Sequence, residues 1–308
     1  MAGRLKSIWW IALATGAVLL LGAERFASRS ALAEGQDRAE TILRQTVNGL
    51  EGHLQRFEAL PALLARNSNV REALDGPADA QRIAALNRWL AETNALIESS
   101  DLYLIDLAGT TIAASNHGRA DSFIGQNFSY RPYFTAARDG RSGHFFALGT
   151  TSGVRGYYFA SPVRSSQGRI SGVLALKIGV DEIEAGWNAR EYRILVTDPD
   201  GIVFMSTDPG WLYRGLLPLG PDQLARIAAS RRYAGEAPGP LGVERAQSGA
   251  ARLMRLADKD GVSREFVATE RAMPQAGWTV RVLLDTAPLR AQARLVLAAF
   301  GLLLAVAL

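Results

Sequence analysis

DLYLIDLAGTTIAAS, Asp101–Ser115, reads as a strand from Leu102 to Ile105, a turn through Asp106 and Gly109, and a second strand from Thr110 to Ala114. The pattern returns in YRILVTDPDGIVFMST, Tyr192–Thr207, with Arg193–Thr197, a turn through Asp198 and Gly201, then Ile202–Met205. In both stretches Asp leads Gly by three residues, and a hydroxyl residue, Ser115 or Thr207, follows Gly by six. One such hairpin is common. Two copies about 92 residues apart, each opening a strand-rich stretch, argue for two similar α/β units in tandem, and so for an α+β chain.

Outward from the first hairpin, Phe128–Arg138 reads as a short helix, with Pro132 tolerated in its first turn. Phe145–Gly149, Gly156–Arg164 and Ile170–Ile178 read as antiparallel strands joined by Gly/Ser turns, SSQG at Ser165–Gly168 among them. Asp181–Trp187 is a connector helix. The second unit adds a helix at Pro221–Ser230, a surface loop at Ala234–Gly242, and a hairpin of Arg252–Leu256 and Arg264–Thr269 turning through Asp258–Gly261. Its last strand is Trp278–Leu284, with a linker at Asp285–Arg294.

Upstream, Ala39–Leu64 reads as a long helix whose Leu43, Val47, Leu50, Leu54 and Phe57 form a narrow stripe of coiled-coil spacing. The stripe packs on its own domain, faces a second subunit, or does both along different turns. Asp79–Ile97 is a further amphipathic helix.

Both ends are apolar. Ile8–Ala23 covers about 24 Å as a helix, follows Arg4 and Lys6, and reads as an uncleaved anchor with a cytoplasmic N-terminus. A cleaved signal peptide ending near Ala31-Leu32-Ala33 is the competing reading, opposed by the charges at Glu24, Arg25 and Arg29. Leu295–Leu308 reads as a second transmembrane helix interrupted by the end of the sequence, with a buried terminal helix as the alternative. The expected organisation is therefore residues 1–23 tip and first span, 24–100 helical stalk, 101–187 first unit, 188–287 second unit, and 288–308 start of the second span. An output module is expected beyond Leu308.

Composition narrows function. The chain is 48% hydrophobic and 21% charged, so it is not disordered. A net charge of +4 without a long Lys/Arg run gives no nucleic-acid footprint. With no cysteine there are no disulfides or thiolate chemistry, and three scattered histidines (His53, His117, His144) argue against a zinc site. No Ser-His-Asp set or paired-carboxylate motif points to an enzyme within these residues.

The residues that do suggest chemistry surround NFSYRPYFTAARDG, Asn127–Gly140. Arg131 offers a permanently charged planar fork at a helix start, suited to gripping a carboxylate; a structural salt bridge is the other reading. In GVLALKI, Gly172–Ile178, strict alternation puts Val173, Ala175 and Lys177 on one face of a strand, leaving room above a sheet. A buried ammonium needs an anion, either a ligand carboxylate or an internal acid such as Asp106 or Glu182. Thr150, Thr151, Ser152 and Gly153 supply hydroxyls and backbone N–H groups at a strand end, or simply form a turn. Ser129, Tyr130, Tyr133, Tyr157 and Tyr158 add donors or walls. Tyr157 and Tyr158 point to opposite sides of a strand, so one of them faces the site; spacing alone does not choose between them. The candidate ligand set is Arg131, Lys177, Thr150, Thr151, Ser152, Ser129, Tyr133 and Tyr157. Two separated cations with hydroxyl donors suit a small diacid. The late strand carries Lys177, and the nearest acid, Asp181, comes only at its end, which weighs against an amino-acid ligand.

GQNFSYRPYF, GHFFALGTTSGVRGYYFASPV and GVLALKIGVDEIEAGW together resemble the periplasmic domain of the C4-dicarboxylate transport sensor histidine kinases, most closely over Ile124–Trp187. Tandem PAS-like units behind a long helix and between two spans likewise resemble the double Cache sensor module. The resemblance implies a receptor for succinate, malate or fumarate in the bacterial inner membrane, with residues about 24–288 periplasmic. It implies a homodimer signalling to a kinase, a response regulator and, in some systems, a dicarboxylate transporter. It implies that residues 101–187 are the membrane-distal unit, which binds, and residues 188–287 the membrane-proximal unit, which relays. No cofactor is implied for this region; ATP belongs to a downstream kinase domain, whose motifs these residues lack. A chemoreceptor or cyclase output, or a two-span binding protein without output, are the other readings.

Overall fold

The computed structural model describes residues 2–76, 79–187, 191–233, 239–257 and 261–307, without the side chains of residues 2–15, 17–21, 300 and 302–307. Helix α1 runs unbroken over Ala2–Glu58, followed by the short α2 (Leu60–Leu64) and α3 (Ser68–Glu72) and by α4 (Ala80–Ile97). The Asp79 side chain caps α4 by accepting from Gln81 N–H. The anchor and the long helix expected from sequence are thus one element, and α2 begins only after a break at Ala59.

The first sheet contains β1 (Asp101–Asp106), β2 (Thr111–Ala114), β3 (Gly143–Leu148), β4 (Arg155–Arg164) and β5 (Ile170–Gly179), in the order β2-β1-β5-β4-β3. Helix α5 (Pro132–Arg138) lies between β2 and β3, and α6 (Asp181–Ala185) follows β5. The second sheet contains β6 (Tyr192–Thr197), β7 (Val203–Ser206), β8 (Glu244–Ser248), β9 (Ala251–Ala257), β10 (Ser263–Met273) and β11 (Trp278–Asp285), in the order β7-β6-β11-β10-β9-β8. A 3-10 turn at Pro209–Trp211 and α7 (Pro221–Ser230) lie between β7 and β8, and α8 covers Thr286–Ala307. All pairings are antiparallel, and the order of the first five strands repeats from one sheet to the other.

The repeat seen in sequence is a repeat of hydrogen bonds. Asp106 Oδ1 accepts from Thr110 N–H at 2.8 Å, and Asp198 Oδ1 from Ile202 N–H at 2.9 Å. Ser115 Oγ accepts from Leu102 N–H at 2.9 Å, and Thr207 Oγ1 from Ile194 N–H at 3.0 Å. The Gly at each turn has positive φ, +89° at Gly109 and +81° at Gly201, where a Cβ would be strained.

The apolar stripe of α1 is consumed internally. Leu43, Val47, Leu50, Leu54 and Phe57 are all buried in a core shared with both sheets, so within one chain they are unavailable to a second subunit. Farther down, a Cβ on Gly35 would lie 2.6 Å from Leu289 Cδ1, so the absent side chain lets α8 close on α1. The expected linker at Asp285–Arg294 is mostly the first turns of α8, because Pro288, the proline in it, falls in the first turn of the helix, where it is tolerated. Strand β8 was not expected: ERAQS lacks an apolar alternation because it is an exposed sheet edge. Helix α5 starts at Pro132 rather than Phe128, since Phe128–Tyr130 form a turn that closes on Arg131. Parts of the predicted loop at Ala234–Gly242 and turn at Asp258–Gly261 lie outside the described residues. Among the described residues no helix is long and apolar enough to cross a membrane; the expected spans at 8–23 and 295–308 fall mostly on side chains outside the description.

Candidate ligand site

The site lies on one face of the first sheet. In the β4–β5 register Tyr158 is opposite Lys177 and Tyr157 opposite Ile178, so Lys177 and Tyr158 share a face with Tyr103, Ala175 and Val173, under α5. Tyr157 is on the other face, packed edge-on against Phe159 at 4.9 Å and Trp278 at 5.0 Å. The tyrosine in the expected ligand set, Tyr157, therefore lies on the face opposite Lys177, where no ligand beside that lysine would meet it. The parity of β4 carries Tyr158 to the site and Tyr157 to the core beneath.

Lys177 is 2% exposed, and its Nζ donates to Ser152 Oγ at 3.0 Å and lies 6.0 Å from the Tyr158 ring centre. Its stem occupies the space a side chain at position 156 would need: a Cβ on Gly156 would meet Lys177 Cε at 2.5 Å. A Cβ on Gly149 would be 3.6 Å from Nζ and 2.5 Å from Ser152 Oγ. These two glycines form the cradle of the ammonium. Burial pulls Lys177 below the ordinary lysine range, opposed by Asp101.

Asp101, not Asp106 or Glu182, is the acid beside this lysine. It stands opposite Lys177 in the β1–β5 register and is 4% exposed. Its Oδ1 makes no hydrogen bond among the described residues and lies 3.6 Å from Arg119 Nη1. Burial pushes its carboxyl up to about 6, against the opposing pull of Lys177 and Arg119. Asp106 instead serves its own turn, and Asp181 pairs with Arg155. An acid therefore does reach the site face, from the first strand rather than the last.

Arg131 precedes α5 in extended conformation, and its side chain leaves the helix rather than capping it. The guanidinium is buried. Nη1 donates to the Ser230 and Arg231 carbonyls at 3.2 and 3.0 Å, and Nη2 to the Leu148 carbonyl at 3.3 Å. A cation of the first unit thus satisfies the carbonyl end of α7 in the second, a favourable place for positive charge. Its neighbours are aromatic: the Tyr130 ring at 5.2 Å and the Phe145 ring at 5.9 Å. Phe145 stands opposite Tyr158 in the β3–β4 register, so Arg131 and Lys177 flank one cross-strand aromatic pair.

Tyr133 stacks on Tyr158, centroids 5.1 Å apart and planes 7° apart, and its hydroxyl bonds to that of Tyr103 at 2.8 Å. Desolvation raises both of these phenols, Tyr103 and Tyr133, so they remain neutral donors. Thr150 meets the Tyr130 hydroxyl at 3.0 Å. Ser152 accepts from Lys177 and from Val154 N–H. Thr151 is half-buried in the same turn. Ser129 is exposed and lies against the Gly109 turn, where a Cβ on that glycine would meet its Cβ at 2.6 Å. Arg131, Lys177, Tyr133, Thr150 and Ser152 thus belong to one connected group. Tyr157 does not, and Ser129 sits at its margin.

Asp101, Gly149, Gly156 and the Ser230–Arg231 carbonyls were not among the expected residues, and Tyr158 was named as a possible donor or wall but left out of the ligand set. Glycines inside strand patterns were the available signal for two of them. The 230–233 segment ties the units at a further point, where Leu148 N–H donates to the Arg232 carbonyl at 2.8 Å, and is held to its own unit by Tyr233, whose hydroxyl donates to Asp198 at 2.8 Å.

Tandem sheets of one strand order behind a long helix, with a charged hydroxyl-rich face on the first, define a double Cache-type sensor domain. No family model matches the chain. It is 35% identical over 266 residues to the C4-dicarboxylate transport sensor protein DctB of Pseudomonas aeruginosa, covering 86% of this chain and 40% of that protein. It is 35% identical over 315 residues to DctB of Rhizobium meliloti, covering 97% of this chain and 50% of that one. The crystal structure of the V. cholerae histidine kinase DctB sensor domain superposes with a TM-score of 0.75 at 33% identity, over 81% of this chain and 96% of that domain. The chain belongs to the DctB family of sensor domains. It spans half or less of the length of the two sequence relatives.

Proposed function

We propose that the chain is the periplasmic sensing portion of an inner-membrane two-component histidine kinase and that it takes a C4-dicarboxylate between Lys177 and Arg131. The observation that carries the reading is the placement of these two cations over one face of the first sheet, Lys177 beside the Tyr158 ring and Arg131 beside the ring of Phe145, its cross-strand partner. A four-carbon diacid has two charges and little apolar area, so its affinity comes from charge-assisted hydrogen bonds, each worth about 1.5–3 kcal/mol. One carboxylate would meet Lys177, Ser152 and the Thr150–Thr151 turn; the other would meet the open edge of Arg131 and the Tyr130 hydroxyl. Residues 101–187 would form the binding unit and 188–287 the membrane-proximal unit, between spans at 8–23 and 295–308.

Arg131 gives this reading a route for the signal. Its guanidinium would be shared between the ligand and the last carbonyls of α7, so occupancy changes how firmly the two units are tied. The proximal sheet rests on α1 and α8, the helices leading to the membrane in this reading. The shift is limited by the ligand's differential affinity for the two arrangements. A homodimer, a response regulator and a transporter complete the proposed system.

Calorimetry on the 308-residue chain in detergent tests this. Succinate or malate should bind with one-site saturation, and acetate far more weakly; equal affinity for acetate and succinate would remove the two-cation site. Asp101 supports a second reading, an amino-acid ligand whose ammonium faces that carboxylate. An aspartate titration that outcompetes succinate would favour it.

A further inference from the structure

The second sheet carries a charged cavity of its own. About 230 Å³ in volume, it is lined by Arg245, Arg252 and Arg281, with Gln247 and Glu270, over Met254 and Ala268. It belongs to the face that also carries Leu195, Phe266 and Leu283, the face corresponding to the one that holds Lys177 in the first sheet.

The charges do not balance. Arg281 is buried on β11, and its Nε donates to Glu270 Oε2 at 2.7 Å and its Nη1 to Thr197 Oγ1 at 2.9 Å. Glu270 neutralises that one guanidinium. Arg245 on the edge strand β8 and Arg252 on β9 make no ion pair among the described residues. Three guanidiniums thus surround one carboxylate in a single concavity. Arg281 is also pulled below the ordinary arginine range, first by burial and further by the like charge of Arg245. Guanidinium forks match the oxygens of a carboxylate, and the Met254–Ala268 floor offers contact to a short carbon chain.

We propose that this cavity is a second anion site, which takes a small organic carboxylate on Arg245 and Arg252 with Arg281 behind them. It is independent of the Lys177 site. A carboxylate there would bridge the edge strand to the centre of the proximal sheet and stiffen the unit that rests on α1 and α8.

The chain has four methionines, so methyl labelling of methionine in the full 308-residue chain gives a sparse spectrum in which Met254 reports on this cavity alone. Met254→Leu assigns the signal. Titration with succinate should move the Met254 methyl along a saturating curve, and Lys177→Met should leave that curve unchanged. The double variant Arg245→Gln/Arg252→Gln should weaken it at least tenfold while the Met205 and Met273 signals stay in place. Inorganic phosphate at equal charge should bind more weakly. A Met254 signal that does not move, that moves equally in the double variant, or that responds to phosphate as strongly as to succinate would overturn the proposal. Loss of the Met254 response in Lys177→Met would likewise overturn it, by making the two sites one.

Discussion

Replacing Lys177 with methionine separates its role as a ligand partner from any role in holding the fold. The stem of the lysine lies over Gly156, and methionine fills the same space with a flexible apolar chain. What is removed is a buried ammonium with one hydroxyl partner, Ser152 at 3.0 Å, and an acid opposite it that is itself pushed towards neutrality. Replacing buried charge by well-packed apolar groups is often neutral or stabilising, so the unfolding temperature without ligand should not fall. Binding should fall sharply. Loss of charge-assisted contacts worth about 1.5–3 kcal/mol, at 1.4 kcal/mol per factor of ten, raises the succinate Kd roughly 10- to 150-fold. Calorimetry gives the Kd, and a thermal melt with and without succinate gives the linked stabilisation. At ligand a hundredfold above the wild-type Kd that stabilisation is about 2.7 kcal/mol in the wild type and should fall to about 0.3–1.4 kcal/mol in the variant at the same concentration. An unchanged Kd would refute the reasoning. A large drop in ligand-free stability would show that Lys177 serves the fold through Asp101 instead.

Asp101 should make stability depend on pH with an uncommon sign. Its folded carboxyl is raised to about 6 from 3.8, so the contribution is full below about 4 and is lost as pH rises through about 6. At about 1.36 kcal/mol per pH unit the difference amounts to about 3 kcal/mol, and Asp101→Asn should flatten urea-unfolding stability over that window; an unchanged slope would place the titration elsewhere. Arg131→Ala should destabilise the ligand-free chain by about 1–3 kcal/mol, because the part-buried Leu148, Ser230 and Arg231 carbonyls lose their donor. Urea titration checks it, and stability equal to wild type would show that water replaces the guanidinium. Gly156→Ala should displace the lysine stem that its Cβ meets at 2.5 Å and weaken succinate binding about tenfold, with a folding cost of about 1–3 kcal/mol; undiminished affinity would show that the stem has room to move.

The tandem hairpins were legible because strand alternation and the D-x-x-G turn are local signals, and the same side chains that mark them close the turns. The side of β5 that carries Lys177 was legible from parity alone. The choice between Tyr157 and Tyr158 was not, because it depends on which face of β4 meets the shared core, a property of the partner elements. Asp101 escaped notice because an acid at a strand start reads as ordinary turn chemistry. Only the β1–β5 register brings it to the lysine. Two of the three carbonyls that hold Arg131 lie about a hundred residues away, and all belong to backbone, which leaves no mark in side-chain pattern. The edge strand Glu244–Ser248, wet on most of its surface, carried no apolar period to read.

A structure of the chain with succinate bound tests the central claim most directly. The account predicts one carboxylate within about 2.7–3.2 Å of Lys177 Nζ and the other at the same range from the Arg131 guanidinium, with the Tyr158 ring between them. Succinate held away from either cation, or Arg131 still fully committed to the α7 carbonyls with the diacid elsewhere, would contradict it.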